Sequence, residues 1–154
     1  MTKYEEQEII KMETSSKSES IYEKVRRDIS LYIRPVASQI GMPPLGFPAF
    51  TVEAPRDPSH GDISTNVAMT LAKFWKRSPR EAAELLVKEI KSDKRTHKIH
   101  YTYVEVAGPG FINLRLAPGI WQEQLLNILR DGTHYGDLKI GKHEKVCIEY
   151  VSAN

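Results

Sequence analysis

Two segments of alternating residues, Tyr101 to Ala107 and Phe111 to Leu116, stand on either side of Gly108-Pro109-Gly110. The glycines permit positive backbone angles and the proline presets the bend, so this stretch predicts a β-hairpin. In the second arm the pleat sends Ile112, Leu114 and Leu116 to one face and Phe111, Asn113 and Arg115 to the other. The first of these faces is wholly apolar and must be covered by another layer of structure.

Helices to supply that layer are legible on both sides of the hairpin. From Ile21 the apolar residues Val25, Ile29, Ile33, Val36 and Ile40 recur at helical spacing. Pro35 interrupts this pattern and predicts a bend or an end near Arg34, with Gly41 and Pro43-Pro44 stopping the helix. A short strand is expected over Ala49 to Ala54, where Phe50, Val52 and Ala54 alternate with Thr51 and Glu53. Asp62 is positioned to cap a helix from about Ile63 to Trp75. Ser78-Pro79-Arg80-Glu81 reads as a capping box with proline in the first turn, opening a helix that presents Ala82, Leu85, Leu86 and Ile90 on one side. After the hairpin, Pro118 opens a last helix in which Trp121, Leu125, Ile128 and Leu129 share a face. A final strand is expected at Lys145 to Val151, with no helix following to cover it.

The fold class that follows is α+β, a small antiparallel sheet with helices on one face. Residues 1–20 are polar and rich in serine, and are expected to form a disordered tail. No apolar run approaches the ~20 residues that a membrane-spanning helix needs, and the amino terminus lacks a secretory pattern. Cys147 stands alone, which excludes a disulfide framework or a CxxC metal pair. A net charge of +2 is too small to announce a nucleic-acid partner by itself, so any such reading must rest on particular residues.

Those residues lie in the second hairpin arm. An exposed aromatic ring, amide and guanidinium in a row on one face, from Phe111, Asn113 and Arg115, are a set that can stack on an unpaired base, read its edge and hold a phosphate. Phe111 can equally pack into the core beside the turn, and parity leaves both readings open. Tyr101 and Tyr103 either widen an aromatic surface or fill a half-exposed sheet. His60-Gly61-Asp62 superficially resembles an acid–base pair, but no nucleophile or second carboxylate is fixed near it by spacing, so a turn with a helix cap is the better reading of it. His97, His100, His134 and His143 follow no metal-ligand rhythm. Neither a GxxxxGK[ST] loop nor a GxGxxG fingerprint is present.

Taken together, Gly61-Asp62, Asn66, the run Val106 to Asn113, Tyr135-Gly136 and Glu149-Tyr150-Val151-Ser152-Ala153-Asn154 resemble arginyl-tRNA synthetase. The pairing of the Gly-Pro-Gly-Phe-Ile-Asn turn with the later Glu-Tyr-Val-Ser-Ala-Asn strand end is the specific part. The resemblance implies an amino-terminal domain that touches the D-loop or elbow of tRNA through the loop and strand after the Gly-Pro turn. Eukaryotic members carry asparagine, glycine, proline, phenylalanine, isoleucine and glutamine there. In this chain Phe111 matches the stacking aromatic, Asn113 replaces the glutamine with a shorter amide, and Ala107 lacks the hydrogen-bonding groups of the asparagine.

The same resemblance implies an organisation: a domain over 21–133 that contacts tRNA, a linker over 134–144, and over 145–154 the first strand of a truncated Rossmann catalytic domain. Glu149, Ser152 and Asn154 match positions that bind arginine, in a pocket left incomplete. The complete enzyme would join arginine to tRNA(Arg) using ATP with Mg, in the cytoplasm and as a monomer, without a membrane partner. The signatures that grip ATP lie beyond Asn154, so no catalytic residue, cofactor or metal is expected within these residues. A free-standing RNA-binding or protein-docking module is the alternative, and a small hydrolase using His60 and Asp62 a remote one.

Overall fold

The computed structural model describes residues 19–42, 48–94 and 99–136. Helix α1 (Ile21–Gln39) starts at a capping box: the Ser20 hydroxyl accepts from the Glu23 N–H, and the Glu23 carboxylate accepts from the Ser20 N–H. It buries Val25, Ile29, Ile33 and Val36, the predicted stripe. Pro35 neither ends the helix nor breaks its register. The carbonyl it deprives of a partner belongs to Leu31; both residues are exposed, so water can supply the missing bond.

The sheet contains β1 (Val52–Glu53), β2 (Ile63–Thr65), β3 (Tyr101–Ala107) and β4 (Phe111–Leu116) in the order β1-β2-β4-β3, antiparallel throughout. The strand expected over Ala49 to Ala54 is confined to β1. The helix expected from Ile63 begins only at Val67: α2 spans Val67–Trp75, and Ile63 to Thr65 form β2 against β4. Ile63 and Thr65 bury one side of the strand while Ser64 is half-exposed, a period-two pattern too short to distinguish from a helix start in the sequence. Asp62 therefore caps no helix.

Helix α3 (Pro79–Ser92) opens with the predicted capping box, in which Ser78 and Glu81 bond each other's backbone N–H. Helices α1, α2 and α3 cover the sheet face formed by Ile63, Val104, Ile112, Leu114 and Leu116, and these residues form one continuous core with Ile29, Ile33, Leu71 and Leu86. Helix α4 (Pro118–Asp131) behaves differently. Trp121, Leu125 and Leu129 do recur one turn apart, yet they are exposed, and the side chain that α4 buries is Gln124, bonded to Lys24 of α1 and to Tyr135. Among the described residues no helix is long and apolar enough to cross a membrane. The tail expected over residues 1–20, apart from Glu19 and Ser20, lies outside the described residues, as do most of the linker and the strand expected at Lys145 to Val151.

Candidate nucleic-acid interface

The hairpin between β3 and β4 turns where predicted. Gly108 has φ of 51° and Gly110 of 135°, and the Gly110 N–H donates to the Ala107 carbonyl at 3.2 Å, closing the turn. A Cβ on Gly110 would fall 2.8 Å from backbone atoms of Pro79. The turn thus rests on the first residue of α3, which fixes where the rest of β4 projects.

The face of β4 turned away from the helices carries Phe111, Asn113 and Arg115, as parity requires. Their exposures differ. Arg115 is open to solvent, Phe111 is half-buried, and Asn113 retains only 6% of its surface. The expectation of three exposed side chains in a row is therefore corrected at Asn113. Strand β4 is interior to the sheet, with Ser64 of β2 beside Asn113 on one flank and Glu105 of β3 on the other. A short amide between two neighbouring strands is sheltered in a way that the sequence of β4 alone does not reveal.

A residue that sequence reasoning left undecided joins this face. Tyr101 pairs with Leu116 and Tyr103 with Arg115, so two steps along β3 answer one along β4, a bulge centred on Thr102. The bulge separates the two tyrosines. Tyr101 reaches toward α1, where its hydroxyl donates to Asp28 at 2.8 Å, while Tyr103 stays 42% exposed beside Arg115. The outer face thus offers two aromatic rings, a guanidinium and a sheltered amide. Its charges are mixed: Glu105 stands across from Asn113, and Glu53 across from Ser64, so a phosphate is welcome only at the Arg115 end.

The remaining motif residues have structural roles. The Asp62 N–H donates to the Leu114 carbonyl at 2.9 Å, and the Asp62 carboxylate accepts from the Leu116 N–H at 2.9 Å, extending β2 along β4. Gly61, at φ of 109°, passes so close to β4 that a Cβ would lie 2.6 Å from the Leu114 carbonyl oxygen. Asn66 accepts from the Thr51 N–H at 2.8 Å, tying β1 to the start of α2. His60 ends an exposed 3-10 turn (Pro58–His60) capped by Asp57, whose carboxyl is held below its ordinary range by the hydrogen bond from the Ser59 N–H. With the Asp62 carboxylate turned onto a strand, no acid–base pair with His60 forms. Among the described residues no three His, Cys, Asp or Glu side chains are grouped to hold a metal. Glu149, Ser152 and Asn154 lie outside the described residues.

Three helices layered on one face of an antiparallel sheet define a two-layer α+β domain. The arginyl-tRNA synthetase N-terminal domain model matches residues 19–116, and the chain belongs to that family. It is 48% identical over 106 residues to the arginine–tRNA ligase of Anaeromyxobacter sp. (strain Fw109-5), covering 69% of this chain and 17% of that protein. It is 53% identical over 103 residues to the arginine–tRNA ligase of Parvibaculum lavamentivorans, covering 67% and 17% respectively. The crystal structure of arginyl-tRNA synthetase from Plasmodium falciparum shares the fold, with a TM-score of 0.54 and 14% identity over 74% of this chain and 19% of that one. The chain thus spans about a sixth of the length of the curated relatives it matches.

Proposed function

We propose that this chain is the tRNA-contacting amino-terminal part of an arginine–tRNA ligase, and that the sheet face opposite α1, α2 and α3 meets the D-loop or elbow of tRNA(Arg). The observation that carries this reading is the division among the motif residues of β2, β4 and their turns. Gly61, Asp62, Asn66 and Gly110 are explained by the backbone contacts they make or permit. Phe111 and Arg115 stand on the sheet face opposite α1, α2 and α3, outside the core that these helices form with the sheet. In this reading Phe111 stacks on an unpaired base, Tyr103 broadens the aromatic surface, and Arg115 holds a phosphate. Asn113 meets the base through the small part of its amide that is accessible.

The longer relatives supply the rest of the proposal. The complete enzyme would attach arginine to tRNA(Arg) with ATP and Mg in the cytoplasm, acting as a monomer. Residues 21–133 would form the tRNA-contacting domain and 134–144 a linker. Residues 145–154 would form the first strand of a Rossmann catalytic domain, where Glu149, Ser152 and Asn154 contribute to the arginine pocket. None of the residues proposed to touch tRNA performs the chemistry, so this part by itself would bind without aminoacylating. The direct test titrates a labelled tRNA(Arg) transcript into the chain at low salt and compares Phe111→Ala. Loss of one stacked ring should weaken binding about tenfold at an unchanged melting temperature. A folded Phe111→Ala variant that binds normally, or one that unfolds, removes the support for this face.

A further inference from the structure

The proposed face has a deficit that points elsewhere on the surface. A tRNA backbone brings a dense row of negative charge, and affinity for it comes chiefly from cations that displace its counterions. Among the described residues the outer face of the strands offers one cation, Arg115, with Glu53 and Glu105 nearby. The cations of α1 are partly engaged: Arg27 pairs with Glu19 at 3.0 Å, and Lys24 bonds Gln124 at 3.1 Å. The corner between α2 and α3, against which the hairpin turn rests, is different.

Helix α2 buries Val67, Ala68, Leu71, Ala72 and Trp75 and turns Lys73 and Phe74 outward. Phe74 is 60% exposed, an apolar ring for which the core has no use. Lys76 ends the helix with φ of 51° and ψ of 44°, a left-handed conformation where glycine is the usual occupant because a Cβ crowds the neighbouring carbonyl. Arg77 follows, also exposed. The acids close by are engaged: Glu81 closes the capping box with Ser78, and Glu84 pairs with Arg80 at 3.2 Å. Lys73, Lys76 and Arg77 form no ion pair with described residues, although the Arg77 charge is felt at Glu81. Two residues of chain span at most about 7 Å, so Arg77 lies close to Pro79, the seat of Gly110 and hence of Phe111.

We propose that this corner is a second RNA contact, in which Lys73, Lys76 and Arg77 hold backbone phosphates and Phe74 stacks on an exposed base, continuing the surface that begins at Phe111. The inference rests on the reading of the sheet face and extends it. A left-handed lysine fits this role, since it aims a flexible cation outward from the end of a rigid helix, at a cost in stability that a glycine would avoid.

The test compares tRNA(Arg) binding by the chain across a salt series. The triple variant Lys73→Gln/Lys76→Gln/Arg77→Gln is expected to bind at least about tenfold more weakly at 0.1 M salt, and its salt slope to fall by about two to three units. The charge-matched control Arg26→Gln/Lys88→Gln/Lys91→Gln should leave the slope within about one unit of the original. Lys76→Gly is expected to raise the melting temperature by roughly 3 °C while lowering the slope by about one unit. It decides the matter even if the triple variant fails to fold. A folded corner variant with the original affinity and slope overturns the inference; if Phe111→Ala weakens binding in the same series, the sheet-face reading survives it. A weakened corner variant beside an unaffected Phe111→Ala overturns the continuous surface and the sheet-face reading together. Absence of tRNA binding by the unsubstituted chain at 50 mM salt overturns both.

Discussion

Gly110 and Pro79 touch so closely that a single added methyl group would stand 2.8 Å from Pro79 backbone atoms. Gly110 also has φ of 135°, a region essentially reserved for glycine. Gly108, in the same turn, has φ of 51° and open space where its Cβ would stand. The two glycines should therefore respond unequally. Gly110→Ala is expected to cost about 2–4 kcal/mol, combining backbone strain with the clash against α3. Gly108→Ala should cost about 1 kcal/mol, the left-handed penalty alone. Urea denaturation of the two variants checks the difference, and equal midpoints would contradict the seating of the turn.

The Gly61-Asp62 pair should behave as a clip on the sheet. Asp62→Ala leaves the N–H of buried Leu116 without the carboxylate that accepts it, at a cost of about 1–3 kcal/mol. Asp62→Asn keeps an oxygen acceptor and should cost less. Amide exchange offers a local readout: the Leu116 N–H should lose protection in Asp62→Ala and retain most of it in Asp62→Asn. Unchanged protection in both variants would show that the clip does not hold β4.

Acid should weaken the start of α3. The hydrogen bond from the Ser78 N–H, followed by that from its hydroxyl, lowers the pKa of the Glu81 carboxyl from its ordinary value of 4.5. A carboxyl with a depressed folded pKa contributes stability that is fully present above the unfolded value and is lost as pH falls through the folded one. The window therefore opens near pH 4.5 and extends downward. Glu81 is fully exposed, so the effect should be small and should shrink with added salt. Glu81→Gln should flatten that part of the stability–pH curve, which thermal melts between pH 3 and pH 7 can resolve.

The extent to which the fold is legible in the sequence depends on whether each signal is local. The capping box at Ser78 and the turn at Gly108-Pro109-Gly110 are complete within a few residues and appear as expected, whereas Ser20, read as part of a polar tail, caps α1. Asp62 is misjudged because the carboxylate that suits a helix N-terminus equally suits an N–H on a distant strand. Pro35 does not end the helix because it and Leu31, whose carbonyl it strands, are exposed where water can bond, and exposure is set by the tertiary fold. Parity assigns Asn113 to the correct face but cannot show that Ser64 and Glu105 flank it. The bulge at Thr102, which brings Tyr103 beside Arg115, has no sequence signature that separates it from regular alternation.

Asn113 and Arg115 sit two residues apart on one strand face and should nevertheless separate cleanly by measurement. Arg115 is exposed and on the outer face, so Arg115→Ala should leave the melting temperature nearly unchanged. If it holds one phosphate, its loss lowers the salt slope of tRNA binding by about one unit and weakens binding to all tRNA sequences alike. Asn113 is buried and uncharged, so Asn113→Ala should lower the melting temperature and leave the salt slope untouched. Any effect on tRNA affinity should then depend on the identity of the base placed over the strand, because an amide discriminates between base edges and a guanidinium on phosphate does not. A set of tRNA(Arg) transcripts differing at one D-loop position, titrated against both variants, measures this. An Arg115→Ala variant with an unchanged slope would remove the phosphate from this face and leave the α2–α3 corner as the proposed source of charge for binding.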